Sequence, residues 1–447
     1  MPLLFAVTLF VSAFLLFLVQ PMIAQMILPR LGGTPAVWNT CMVFFQAALL
    51  AGYGYTHSAT TYMPVKRQTL VQGGLLLVPL VLLMLPFSIG DWTPATEVNP
   101  IWSVLYILLI SVGIPFFVVA TSAPLLQRWF SSTGHPSSKD PYFLYGASNL
   151  GSMLALLTYP VFFQPVFNLS GIAVVWMAVY ALLIALVGTC GLVVWRAPQM
   201  ATLSVAPTAE PAAKPSEPLP PSKVQQSVTR RPGRHKVKPL VLSQTVEPSV
   251  AKTIDAPLTW LRRLRWIGLA AVPSSLMLGL TTYFTTDIAA VPMFWIIPLS
   301  LYLLSFILVF ARWPVPWTGT PHRICLYLQP LILMLLGLLF IGYQKFGAYG
   351  LPMWYATIGG IPIWWSVVFI HLFGFFICVM VCHGELAKDR PSTKHLTEFY
   401  LWMSVGGVLG GIFNSLIAPM IFTELIEYKL VLILSLFLRP QTHFLDW

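Results

Sequence analysis

The chain has 447 residues, 57% of them hydrophobic and only 9% charged, with a formal net charge of +11. A water-soluble domain carries about 25% charged residues, so this composition excludes a mainly aqueous fold. Apolar runs of about 20 residues, each long enough for a ~30 Å hydrocarbon core, recur along the chain. Lipid offers the backbone no hydrogen bonds, and the runs do not alternate with period two, so the spans are expected to be helices.

In chain order, the opening MPLLFAVTLFVSAFLLFLVQP has no basic lead and is too long for a signal-peptide core; it reads as a retained first span. Six spans are expected near 3–28, 35–57, 69–89, 101–126, 142–163 and 170–195, together a first half over 1–195. Residues 196–258, which include PTAEPAAKPSEPLPPSK, cannot bury a core and are expected to form a disordered linker. A second half, 259–447, follows with spans near 265–288, 291–311, 323–343, 358–384, 398–422 and 429–438. The last, KLVLILSLFL, is short for a crossing.

With the N-terminus cytoplasmic and the spans alternating, every Lys and Arg except Arg30, Lys345 and Lys429 falls in a cytoplasmic loop or in the cytoplasmic linker. The basic run RRPGRHKVKP (230–239) then lies beside the membrane, where anionic lipid headgroups account for it at about 1 kcal/mol per basic residue. It carries none of the interleaved aromatics that a nucleic-acid site needs, so no nucleic-acid partner is expected. The five cysteines are scattered, with no CxxC pair. Walker, HExxH and nucleophile-elbow motifs are missing, so neither a cofactor nor enzyme chemistry in this chain is expected.

Two stretches echo each other. A shift of 257 residues lays Pro35-x-x-Trp38 on Pro292-x-x-Trp295, and a shift of 259 lays Leu150-Gly151 on Leu409-Gly410. An internal repeat of two six-span halves is the expected fold: all-α, integral to the membrane, about 12 helices. That plan resembles major-facilitator transporters, whose site lies near the midplane between the halves.

The segments LVQPMIAQMILPRLGGTPAVWNTCMVFFQAALLAGYGYTH, TTYFTTDIAAVPMFWIIPLSLYLLSFILVFAR and CHGELAKDRPSTKHLTEFYLWMSVGGVLGGIFN resemble the membrane region of bacterial fused MFS/spermidine-synthase-like proteins. The resemblance implies a bacterial inner-membrane location and, by analogy, a cationic solute such as a polyamine. It also implies an aminopropyltransferase-like enzyme as a possible partner of a non-transporting membrane module. No Rossmann-like synthase motif accompanies it in this sequence.

The candidate site residues follow from charge and polarity inside apolar spans. Asp287 closes the seventh span; a lone carboxylate in lipid costs at least ~2.5–3.5 kcal/mol, so it serves either as an interface cap or in a cation or proton site. Thr282 and Thr286, with Thr281 and Thr285, are placed to line a polar notch beside it. In the tenth span His371, Cys378, Cys382 and Glu385 share one helical face. They extend over roughly 21 Å, too far for one metal ion, so a metal site is not expected. Cys382 and Glu385 are read instead as buried packing and an interfacial carboxylate, or as lining of a cavity between the halves. Gln20, Gln25, Asn39 and Gln46 stud the first two spans, and Gln20-Pro21 is expected to bend the first helix and open it to a site.

Overall fold

A computed structural model describes residues 1–31, 35–82, 100–197, 258–288, 293–311, 317–346, 357–358 and 361–440. The linker, its basic run 230–239 and Pro292 lie outside the described residues. Twelve helical spans are present among those described. The first half holds α1 (Pro2–Leu31), α2 (Pro35–Tyr62), α3 (Val65–Val81), α4 (100–131), α5 (143–166) and α6 (Leu169–Arg196). The second holds α7 (260–288), α8 (Ile296–Phe310), α9 (Thr320–Phe346), α10 (Ile363–Lys388), α11 (396–421) and α12 (Ile426–Phe437). A two-residue antiparallel pair, Thr357–Ile358 with Ile361–Pro362, precedes α10.

Local chemistry starts several of these helices. Asn168 accepts a hydrogen bond from the Gly171 amide at 2.7 Å and caps α6, and Thr259 accepts from the Arg262 amide and caps α7. Single π-turns interrupt α4 at Leu109–Gly113, α5 at Tyr159–Phe163, α7 at Phe284–Ile288 and α11 at Phe413–Ile417. Such wide turns concentrate near functional sites. Helix α1 continues through Pro21 without a break from Pro2 to Leu31. Neighbouring helices hold it, with the Trp176 indole N–H donating to the Leu15 carbonyl at 2.9 Å.

Among the described residues, seven spans are long and apolar enough to cross a membrane by themselves, α1, α6, α9 and α10 included. On α9, Leu331, Met334 and Leu338 are each more than half exposed, an apolar face that water would not tolerate and lipid covers. The shorter or more polar α2 and α8 are mostly buried or half-buried within this belt, whereas α3 turns Leu70, Leu77 and Val81 outward.

In each half the first helix crosses the fifth at very close range. A methyl group added at Gly151 would overlap the Phe10 carbonyl of α1, and one added at Gly410 would overlap the Ala271 carbonyl of α7. Only a residue without Cβ lets backbone meet backbone in this way.

At one end, which we call the basic end, the start of α7 docks on the end of α10 and the start of α11. Arg262 pairs with Asp389 at 2.9 Å, Arg263 with Glu398 at 2.7 Å and Arg265 with Glu385 at 2.7 Å. His57 near the end of α2 bonds the Thr397 hydroxyl at the start of α11 at 3.1 Å, and Lys66 at the start of the following α3 lies over the Trp195 ring at the end of α6, so both Arg196 and Thr259 lie at this end.

Candidate functional site

A cavity of about 150 Å³ lies where α1, α2, α4 and α5 of the first half face α7, α8 and α11 of the second. Its polar lining is neutral: Gln20, Gln46, Asn149, the serines Ser12, Ser148, Ser152, Ser274 and Ser404, and the tyrosines Tyr53, Tyr145, Tyr302 and Tyr400. None of the residues lining it is Asp, Glu, Lys, Arg or His. The rings pack on one another, Tyr145 tilted against Tyr400 at 5.0 Å between centroids and edge-on to Phe306 at 5.2 Å. The outer face of Phe306 is covered by the buried His383 imidazole at 3.6 Å, and Ser305 holds that imidazole at 2.6 Å.

Contacts between the halves close on this cavity from both ends. At the basic end Arg390 reaches Asp140 at 3.2 Å, Arg128 donates to the Thr393 carbonyl at 2.9 Å, and the Tyr142 hydroxyl donates to the Pro391 carbonyl at 2.9 Å. One layer deeper the Tyr400 hydroxyl donates to Gln127 at 2.7 Å. At the far end Trp38 stacks on Trp295 with centroids 4.0 Å apart and planes at 27°. The left-handed backbone of Met293, φ 65°, turns the chain into α8 just ahead of Trp295. Asn39 bridges to Thr282 at 3.3 Å, and Ser415 donates to the Asn39 carbonyl. Across the middle, Gln46 donates to Ser274 at 3.1 Å.

The tryptophan pair is testable without a substrate. A double-mutant cycle on Trp38→Ala and Trp295→Ala, read by denaturation in detergent, is expected to give a coupling of about 0.5–1.5 kcal/mol. Additive single effects would show that the two rings do not brace one another.

The residues singled out in the sequence scatter. Gln20 lines the cavity, and its buried amide oxygen has no hydrogen-bond partner. Gln25, half-buried, accepts from the Tyr159 hydroxyl at 2.5 Å and is not among the lining residues. The backbone of Asp287 lies in the π-turn of α7, ten residues and roughly 15 Å beyond the lining residue Met277; its side chain lies outside the described residues. The Thr286 hydroxyl bonds back to the Thr282 carbonyl at 2.7 Å, and Thr285 and Thr281 also bond to carbonyls of their own helix. Among these threonines, Thr282 is the one that reaches the other half.

Cys382 is fully buried in the second half, and Glu385 lies at the basic end, held by Arg265, His322 at 2.8 Å and Lys388 at 3.4 Å. His371 bonds the Tyr428 hydroxyl at 3.1 Å. The four residues of this helical face therefore serve separate contacts, and neither Cys382 nor Glu385 is among the cavity-lining residues. No group of three His, Cys, Asp or Glu among the described residues is placed to hold a metal ion. The sequence reading passed over the tyrosines. A tyrosine in an apolar helix reads as packing, and only the fold reveals that four of them meet.

Twelve helices in two bundles around a central cavity define the major-facilitator fold. The structure is similar over 98% of its length to the proton:xylose symporter XylE bound to 6-bromo-6-deoxy-D-glucose, covering 94% of that chain with 12% identity and a TM-score of 0.52. The inward-open xylose transporter XylE from E. coli (12% identity, 98% and 93% covered, TM-score 0.49) and the human organic anion transporter MFSD10 (12%, 98% and 97%, 0.47) are also similar. No family model matches the chain, and no curated protein sequence matches it.

Proposed function

We propose that this protein is an alternating-access transporter of a small solute, its halves rocking about the central cavity, with the basic end cytoplasmic. The observation that carries this reading is the cavity itself, set between two bundles that touch at both ends through contacts that can be broken one end at a time. The described arrangement corresponds to an occluded state. The weak, half-exposed Arg390–Asp140 pair and the hydrogen bonds beside it form the cytoplasmic gate, and the Trp38–Trp295 stack forms the outer one.

We further propose that the halves arose by duplication. Under the shift of 257 residues, Trp38 meets its own counterpart Trp295, their ring centroids 4.0 Å apart. Residues near a two-fold axis contact their own equivalents in this way. Gly151 and Gly410 play the same part in each half. On the motifs quoted above we place the chain with the membrane region of the fused MFS/spermidine-synthase-like proteins.

The test is access to the cavity. A cysteine introduced at Ser404 is labelled with a membrane-impermeant maleimide from either side of oriented vesicles, against a low background because all five native cysteines are buried. Labelling from both faces is expected, with Arg390→Gln raising the rate from the cytoplasmic face several-fold. Labelling from one face alone in every variant would rule out alternating access.

A further inference from the structure

The lining of the cavity also restricts what it can hold, and this inference rests on the transporter reading above. We infer that the occluded site takes an uncharged, ring-sized solute that donates N–H or O–H hydrogen bonds, rather than a polyamine or another ion. The volume, about 150 Å³, matches an apolar cavity that holds a single benzene ring.

The walls exclude charge. Removing an ion from water costs several kcal/mol even after relaxation, and no lining residue is charged. A desolvated cation over an aromatic face recovers about 2 kcal/mol or more, and here Tyr145 and Tyr400 lie tilted on one another and Phe306 is covered on one face by His383.

Several wall groups have their protons committed to the protein and present acceptors. Ser152, Ser274 and Ser404 direct their hydroxyl protons to the carbonyls of Ser148, Gly407 and Leu401, and Tyr400 directs its proton to Gln127. Asn149 donates to the Tyr145 carbonyl at 2.8 Å. Gln20, 4% exposed, keeps an amide oxygen with no partner, and a buried acceptor left unpaired costs about 1–3 kcal/mol. A bound N–H or O–H satisfies it.

Three neutral ring probes with N–H donors (uracil, 2-pyridone and benzamide) are compared with 1,3-dimethyluracil, N-methyl-2-pyridone and N,N-dimethylbenzamide, which keep the rings and lack the donors. The cations putrescine and benzylamine complete the set. Binding is read as a saturable rise in the thermal midpoint of the purified full chain. At least one donor probe is expected to bind, its methylated twin at least tenfold more weakly, and the cations not at all. Gln20→Leu is expected to abolish the donor preference, and Gln20→Glu to admit benzylamine. Binding of the cations to the unaltered protein, equal binding of the methylated twins, or no binding by any of the three donors overturns the inference. If Ser404→Cys is labelled from both faces while the cations bind, transport stands and the neutral-cargo inference falls. Labelling from one face alone removes transport itself.

Discussion

Gly410→Val is expected to abolish or severely weaken folding, and Gly151→Val to do nearly the same, because each glycine lets one helix rest on the backbone of another. The neighbour at Gly410 is the Ala271 carbonyl, with the Ser275 amide and Ser274 close behind, and at Gly151 it is the Phe10 carbonyl. Backbone cannot swing aside as a side chain can. Overpacking a well-filled core costs about 1–3 kcal/mol, and two rigid helices in contact place these substitutions at or above the upper end. Asn414, one turn along from Gly410, hydrogen-bonds Ser275 of α7, so parting the helices also strands buried polar groups. The controls are Gly407→Ala and Gly73→Ala, where an added methyl meets nothing. Thermal denaturation in detergent should separate the two sets clearly. Equal midpoints would mean that the α1–α5 and α7–α11 crossings are looser than described.

Glu385→Ala is expected to cost about 3 kcal/mol. Its carboxylate is nearly buried and joins three helices, Arg265 from α7, His322 from α9 and its own α10. Breaking a buried pair by removing one partner costs about 3–5 kcal/mol; Arg265 is 43% exposed and can turn to water, which lowers the figure. His322 has no such escape, since its side chain is 1% exposed and presses against Gly384. By contrast Lys388→Ala, which removes a partly exposed pair one turn along the same helix, is expected to cost under about 0.5 kcal/mol. Urea titrations of the two variants side by side check the ordering. A Glu385→Ala protein as stable as Lys388→Ala would show that the carboxylate is not a structural tie.

Much of the fold was legible because lipid imposes a length and a composition on every crossing. The expected spans 142–163 and 170–195 correspond to helices 143–166 and Leu169–Arg196, and 101–126 and 398–422 to 100–131 and 396–421. Errors gather where polar residues join a helix. The third span is expected to begin at 69, yet α3 starts at Val65 and takes Lys66 and Arg67 into its first turn, where Lys66 reaches over the Trp195 ring. The site was far less legible. Hydropathy marks rare charges, which singles out Asp287 and Glu385. Glu385 ties helices together at the basic end, and the backbone of Asp287 lies well beyond the last α7 residue of the lining. The cavity is instead built from neutral residues that look like ordinary helix filling one at a time. Gln20 drew notice through its neighbour Pro21, although the helix does not break there.

Helix α12 runs for only 12 residues, about 18 Å of rise against a hydrocarbon core of ~30 Å. Lys429 lies over the Phe340 ring near one end, and Arg439 is tied to the Leu326 carbonyl just past the other. Such a shortfall is met where headgroups dip toward the midplane or where Lys429 and Arg439 reach outward to them. Short-chain or loosely packed lipids are expected to gather on that flank in preference to stiff, tightly packed ones.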